Sequence, residues 1–175
     1  MKNTLITGGA GFIGSNYTNL LDHKKNTIYI CAHFNNSCQW KNLKKVNIEE
    51  VILPSKISSW LRTEKDLECI IHMGAISSTT EKNINSLLSS NFEFSKMLWN
   101  YAALKSIPFI YASSASVYGN GENGYNDSDD LTPSLKPLNA YGWSKLLFDK
   151  WALKESSLGN SPPIWVGLRF FNVYG

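Results

Sequence analysis

The sequence predicts an α/β protein built on a doubly wound parallel sheet. Three observations predict it. Near-continuous apolar segments of strand length alternate with stretches of helical spacing. Most connections between them are short, and a glycine-spaced turn follows the first apolar segment directly. At 175 residues, with 43% hydrophobic and 18% charged residues, the chain has the size and composition of one globular domain with a single core.

The first strand covers 3–7 and carries Leu5 and Ile6; the first helix runs from 14 to about 23. A second apolar run, 26–34, ends in a polar loop at 35–39, and 44–48 is a candidate third strand. Residues 55–65 have helical spacing at Ile57, Trp60 and Leu61, with Ser55 a candidate cap. Residues 69–75 read as a fully buried strand opening into a Ser/Thr-rich loop, 76–81, where Ser78 and Glu81 have capping-box spacing. A long helix is expected over 83–105, then a strand over 108–113. The Gly/Asn/Asp/Pro-rich stretch 116–139 is long enough to suggest a functional loop. A helix from 140 to about 155 and a strand over 164–170 complete the pattern.

Ligands of such folds bind at the carboxyl ends of the strands, which directs attention to 8–14, 33–41, 74–81, 113–119 and 171–175. Gly8, Gly11 and Gly14 are spaced as a dinucleotide-binding turn requires. The first permits a tight turn with positive φ, the second close approach of a pyrophosphate, and the third close helix–strand packing. The N–H groups and positive dipole end of the following helix would face the phosphates.

Net charge of +3 and dispersed lysines argue against a nucleic-acid partner. No apolar run reaches the roughly 20 residues of a membrane span, and the N-terminus lacks a signal-peptide pattern, so a cytoplasmic protein without membrane partners is expected. Cys31, Cys38 and Cys69 lack metal-ligand spacing and fit a reducing compartment; His23, His33 and His72 are scattered, and no metal site is expected.

Tyr141 and Lys145 stand one helical turn apart. A phenol beside an ammonium can accept the proton of an alcohol while hydride leaves for a nicotinamide, and the lysine can also bond the cofactor ribose. Ser114, at a strand end, could position the same alcohol. Tyr101 and Lys105 share the spacing but fall at the end of their helix, at the amino edge of the sheet, and read as structural. Gly74 and Ala75 suit a backbone running close to a cofactor, and Ser77 to Glu81 could bind a polar group or cap a helix. Asn91 is a mid-helix polar residue of the kind usually solvated. Asp127, Asp129 and Asp130 read as a solvated turn, and Trp143, Trp151 and Trp165 as core or helix-face residues.

Together, residues 7–14, 72–75, 111–119, 141–145 and 169–175 resemble the extended short-chain dehydrogenase/reductase family of nucleotide-sugar epimerases and dehydratases. That resemblance implies a Rossmann-type domain over 1–175, with Ser114, Tyr141 and Lys145 as the catalytic triad. It also implies cofactor contacts from Gly8, Gly11, Phe12, Ile13, Gly14, His33, Phe34, Met73, Gly74, Ala75, Ser77, Asn91, Tyr141, Lys145 and Val173, and substrate contacts from Ser114 and Asn172. Dehydratases of the family carry acids just after the catalytic hydroxyl, where this chain has Ala115 and Ser116, which disfavours dehydration.

Residues 75–81, 137–149 and 166–172 are similar to the ADP-L-glycero-D-manno-heptose 6-epimerase branch. The resemblance implies an NADP enzyme of lipopolysaccharide synthesis that oxidises a sugar carbon and re-reduces it on the other face. A nucleotide-diphosphate sugar would be its substrate. Another sugar-nucleotide epimerase or reductase, or a non-catalytic dinucleotide-binding fragment, are the alternatives. The family usually has an acid for the adenosine ribose where His33 and Phe34 stand, and Gln39 replaces an expected lysine. Loss of the acid removes repulsion toward a 2′-phosphate and favours NADP over NAD, with Lys41, Lys44 or Lys45 as possible sources of charge. The resemblance further implies a C-terminal substrate domain, with a second acid/base lysine, that is missing here because the chain stops at Gly175. Pairing into a homo-oligomer through the helices at 83–105 and 140–155 is also implied.

Overall fold

The structure, a computed structural model, describes residues 2–34, 38–63 and 65–174. Its strands are β1 (Lys2–Thr7), β2 (Asn26–Cys31), β3 (Glu50–Ile52), β4 (Cys69–His72), β5 (Phe109–Ser114) and β6 (Trp165–Phe170), in the order β3-β2-β1-β4-β5-β6. β1 pairs in parallel with both β2 and β4, and β2 in parallel with β3. The strand order therefore reverses at β1, and the glycine turn leaves the carboxyl end of that strand. The helices are α1 (Phe12–Leu20), α2 (Ile57–Leu61), α3 (Ile84–Leu87), α4 (Phe94–Leu104) and α5 (Ala140–Ser157). The chain divides into two compact units, one of residues 1–74 with 107–110, the other of 75–106 with 111–175.

In the first unit the central strands β1, β2 and β4 are largely apolar because both faces are covered. Leu5, Ile6, Ile28, Ile30 and Ile70 are fully buried. The glycine turn is held by space as much as by conformation. Gly8 has φ +67°, and a Cβ there would lie 2.6 Å from the Gly74 nitrogen and 2.7 Å from its Cα. A Cβ on Gly14 would strike the Gly8 carbonyl oxygen. Beside this contact the Gly74 N–H donates to the Thr7 hydroxyl over 3.2 Å, and that hydroxyl lies 2.6 Å from Nδ1 of buried His72.

In the second unit Trp99 is fully buried and meets Phe148, Trp151 and Trp165 edge-on. The Asn139 side chain caps α5 by accepting from the Gly142 N–H at 2.7 Å. The helical stretch from 84 to 104 is broken by a π turn, Leu88–Glu93, between α3 and α4.

Several expectations are corrected. The third strand is Glu50–Ile52, not 44–48: a 3₁₀ turn over Gln39–Leu43 displaces it, and Val46 and Ile48 pack on the core without strand pairing. Ser55 is not a helix cap but lies inside a 3₁₀ turn, Pro54–Lys56, ahead of α2. Ser78 and Glu81 form no capping box. Asn83 caps α3 by accepting from the Ser86 N–H, while Glu81 accepts from the Asn83 N–H and Ser78 from the Thr80 N–H. The stretch 116–139 is less irregular than expected, with 3₁₀ turns at Ala115–Tyr118 and Asp129–Ser134. Of the loop 35–39, residues 35–37 lie outside the described residues.

Gly8 and Gly124 both have positive φ, but a Cβ on Gly124 meets nothing within 4 Å. Gly124→Ala should therefore cost about 1 kcal/mol. Gly8→Ala, strained and overpacked at once, should cost on the order of 3 kcal/mol. Urea unfolding of the two variants measures the difference; equal losses would show that Gly8 has room.

Candidate functional site

At the glycine turn, Gly11 is the N-cap of α1 and no side chain caps the helix; the first turn carries no acid. The Gly11 N–H bonds the Gly8 carbonyl, and the Ser15 N–H bonds the Gly11 carbonyl. That arrangement suits an anion at the helix N-terminus. Phe12 is exposed, Ile13 half-buried and Gly14 buried. His33 and Phe34, past the end of β2, are exposed, while Met73 and Gly74 are half-buried. Asn42 ties the neighbouring 3₁₀ turn to the glycine turn by donating to the Ala10 carbonyl over 3.0 Å. Within that turn the Lys44 ammonium sits 4.7 Å from the centre of the Trp40 ring.

In the second unit, Ser114, Tyr141 and Lys145 are all nearly buried, with 7%, 9% and 4% exposure. Ser114 ends β5, and its Oγ accepts from the Ser116 N–H at 3.2 Å, capping the 3₁₀ turn that follows. Tyr141 lies in the first turn of α5, where Gly142 allows close packing: a Cβ there would be 2.7 Å from the Ser116 carbonyl oxygen. Burial pulls the Lys145 ammonium down to about 8, against the opposing attraction of Asp149. Tyr101 is half-buried and Lys105 exposed, at the C-terminal end of α4.

Asn91, ambiguous in the sequence as a mid-helix polar residue, is not solvated. It is fully buried in the π turn, where its Oδ1 accepts from the Ile76 N–H at 2.8 Å. Its Nδ2 donates to the Ile76 carbonyl and to Ser144 Oγ, both at 3.0 Å. Ser144 in turn donates to the Tyr141 carbonyl over 2.7 Å. Asn91 thus fixes the strand-end loop at Ile76 and the first turn of α5 together. Ala75 is half-buried and Ser77 exposed, and Asn172 and Val173 are exposed past β6.

Sequence reasoning missed a buried polar network beneath the pair. Asp149, 3% exposed, accepts from the Tyr111 hydroxyl at 3.0 Å and the Ser113 hydroxyl at 2.8 Å. Arg169 Nε donates to the same carboxylate at 3.4 Å. Burial raises the Asp149 carboxyl; the hydroxyls, Arg169 and Lys145 oppose it. The signal available was the spacing Tyr141, Lys145, Asp149, four residues apart each time.

Among the described residues, no group of three His, Cys, Asp or Glu side chains could hold a metal ion, and no helix is long and apolar enough to cross a membrane.

Residues 4–175 match the sequence profile of the NAD dependent epimerase/dehydratase family. The chain is 43% identical over 179 aligned positions to an ADP-L-glycero-D-manno-heptose-6-epimerase of Fusobacterium nucleatum, covering 98% of this chain and 52% of that protein. It is 38% identical to the protein of the same name from Nitratidesulfovibrio vulgaris, covering 98% and 53%. The crystal structure of Helicobacter pylori ADP-L-glycero-D-manno-heptose-6-epimerase superposes with a TM-score of 0.82 at 32% identity, over 99% of this chain and 56% of that one. The chain spans about half the length of these relatives.

The lowered Lys145 value has a measurable consequence. The unfolded chain keeps this proton up to the ordinary 10.5, whereas the folded chain releases it near 8. Between those values the unfolded state binds more protons, so Lys145 makes stability rise with pH across that window. Between pH 7 and 10.5 the wild type should gain about 3 kcal/mol relative to Lys145→Met. Parallel stability–pH profiles from denaturant unfolding would contradict this.

Proposed function

Because this chain belongs to the NAD dependent epimerase/dehydratase family, we propose that it is the dinucleotide-binding part of a nucleotide-sugar epimerase, acting on ADP-glycero-manno-heptose at C6. The observation that carries the reading is the burial of Tyr141 and Lys145 one turn apart on α5, in the same compact unit as Ser114 at the end of β5. The names of the relatives it resembles support a heptose substrate.

Support for a dinucleotide comes from the first unit. The uncapped N-terminus of α1 would receive the pyrophosphate through backbone N–H groups at Phe12, Ile13 and Gly14. Gly8, which no larger residue could replace without moving the backbone of residue 74, sets the wall of that cradle. Met73, Gly74, Ala75 and Ser77 would follow the cofactor along the ends of the strands. With exposed His33 and Phe34 in place of an acid, NADP is preferred over NAD. A bound nicotinamide dinucleotide would supply the hydride acceptor for a sugar carbon and the donor for its re-reduction on the other face.

The chain's own residues handle the proton. Tyr141 takes the proton of the sugar hydroxyl during oxidation, while Lys145, one turn away, offsets the charge on the phenol and reaches the cofactor ribose. Re-reduction on the other face requires either that the ketone turn over before Tyr141 returns the proton or that a second acid/base deliver it. Ser114 donates to the same sugar oxygen and fixes its direction. Asn172 contacts the substrate and Val173 the cofactor. Asn91 holds the surrounding loop by its bonds to Ile76. We place the protein in the cytoplasm, as a homo-oligomer paired through α4 and α5, without nucleic-acid or membrane partners.

The full-length protein should retain NADP on purification and convert ADP-heptose to its C6 epimer. Tyr141→Phe should lower turnover by roughly 10²–10⁴-fold, whereas Tyr101→Phe should leave it within about twofold, as its helix end predicts. Cofactor retention without epimer formation would instead favour a binding role, and activity on UDP-galactose alone would move the substrate to a C4 sugar.

A further inference from the structure

Asp149 is the one buried acid of the candidate catalytic helix, and the chemistry proposed above does not use it. Tyr141, Lys145 and Asp149 recur every fourth residue of α5 and form one stripe, each less than a tenth exposed. The Asp149 carboxylate takes donors from two strands: Tyr111 and Ser113 of β5, and Arg169 of β6. Through Arg169 it reaches the loop after β5, since Arg169 Nη2 donates to Thr132 Oγ1 over 2.7 Å and Nη1 to the Tyr118 hydroxyl over 3.4 Å. Ser113 adjoins Ser114. Successive side chains of a strand point to opposite faces, so tying Ser113 to Asp149 sets the side on which Ser114 emerges.

We propose that Asp149 is a positioning residue for the Ser114, Tyr141 and Lys145 set, its carboxylate lying one turn from Lys145 on the same buried stripe of α5 and anchoring the strand end that presents Ser114. The inference rests on reading that set as catalytic. The elements packed on α5 supply no competing buried anion among the described residues. Tyr111, Tyr118 and Arg169 belong to the Asp149 network itself. Glu93 of the π turn pairs with Lys96 at 3.3 Å, and its side chain is 60% exposed. Asp129 and Asp130 of the 3₁₀ turn are exposed. Burial alone disfavours the Lys145 ammonium, and Asp149 is the group that works against it.

The test is an NMR titration of full-length protein carrying ¹³Cε-labelled lysine, with the Lys145 signal assigned by its loss in Lys145→Met. Asp149→Asn should lower the Lys145 midpoint by at least about one unit, and Asp149→Glu should restore it. If the Asn variant does not fold, Asp149→Ser carries the same expectation. In turnover, the alkaline limb of the Asp149→Asn pH profile should move down by the same amount, with kcat recovering toward pH 6.5 and KM little changed. A folded neutral variant that keeps the wild-type Lys145 midpoint overturns the proposal, as does a shifted midpoint with an unmoved alkaline limb. The titration needs no substrate, so a wild type without epimerase activity but with a shifted midpoint in the variant supports the charge coupling while overturning the epimerase reading.

Discussion

A charge taken out of water must be matched where it lies, and α5 buries two of them. Its apolar residues, Leu146, Phe148 and Ala152, are buried among Tyr141, Ser144, Lys145 and Asp149, which are buried as well. A helix with so mixed a buried face is not held by hydrophobic burial alone. It is held by partners: Asn91 on Ser144, and Tyr111, Ser113 and Arg169 on Asp149. The partners come from the π turn, β5 and β6, so the helix is in place only when those elements are. Removing one partner strands a buried polar group at a cost of roughly 1–3 kcal/mol, more for a charged one.

The legible part of this chain was short-ranged. The turn Gly8, Gly11, Gly14 and the pair Tyr141, Lys145 are spacings within one or two turns of chain, and in the structure the first leads into α1 and the second opens α5. Apolar runs located β1, β2, β4 and β5 because parallel strands covered on both faces have nowhere to put polar residues, and β6 as well, though its Val166 and Leu168 are exposed. What escaped was set by competition or by distance. Val46 and Ile48 are apolar enough for a strand, but the 3₁₀ turn at Gln39–Leu43 leaves the pairing with β2 to Glu50–Ile52. At the entrance to α3 several residues could act as caps, and Asn83 wins over the pair Ser78 and Glu81.

The burial of Asn91 and the role of Asp149 were hidden for another reason. Their partners lie 15 to 53 and 20 to 38 residues away along the chain, and no local window contains them. A buried polar residue and a solvated one look alike in sequence until the fold assembles around them. Of the candidate site, the side chains named from spacing were therefore accessible, and the supports beneath them were not.

The Thr7 hydroxyl takes the Gly74 N–H and lies within bonding distance of His72, just where Gly8 and Gly74 touch backbone to backbone. Thr7 and Gly8 cannot be exchanged without disturbing residue 74. Valine at 7 would leave the Gly74 N–H without that acceptor, and any side chain at 8 would push residue 74 away. The cluster sits at the last paired position of β1 and β4, Thr7 opposite His72, so it works as a clasp that closes the seam between the two strands at the glycine turn.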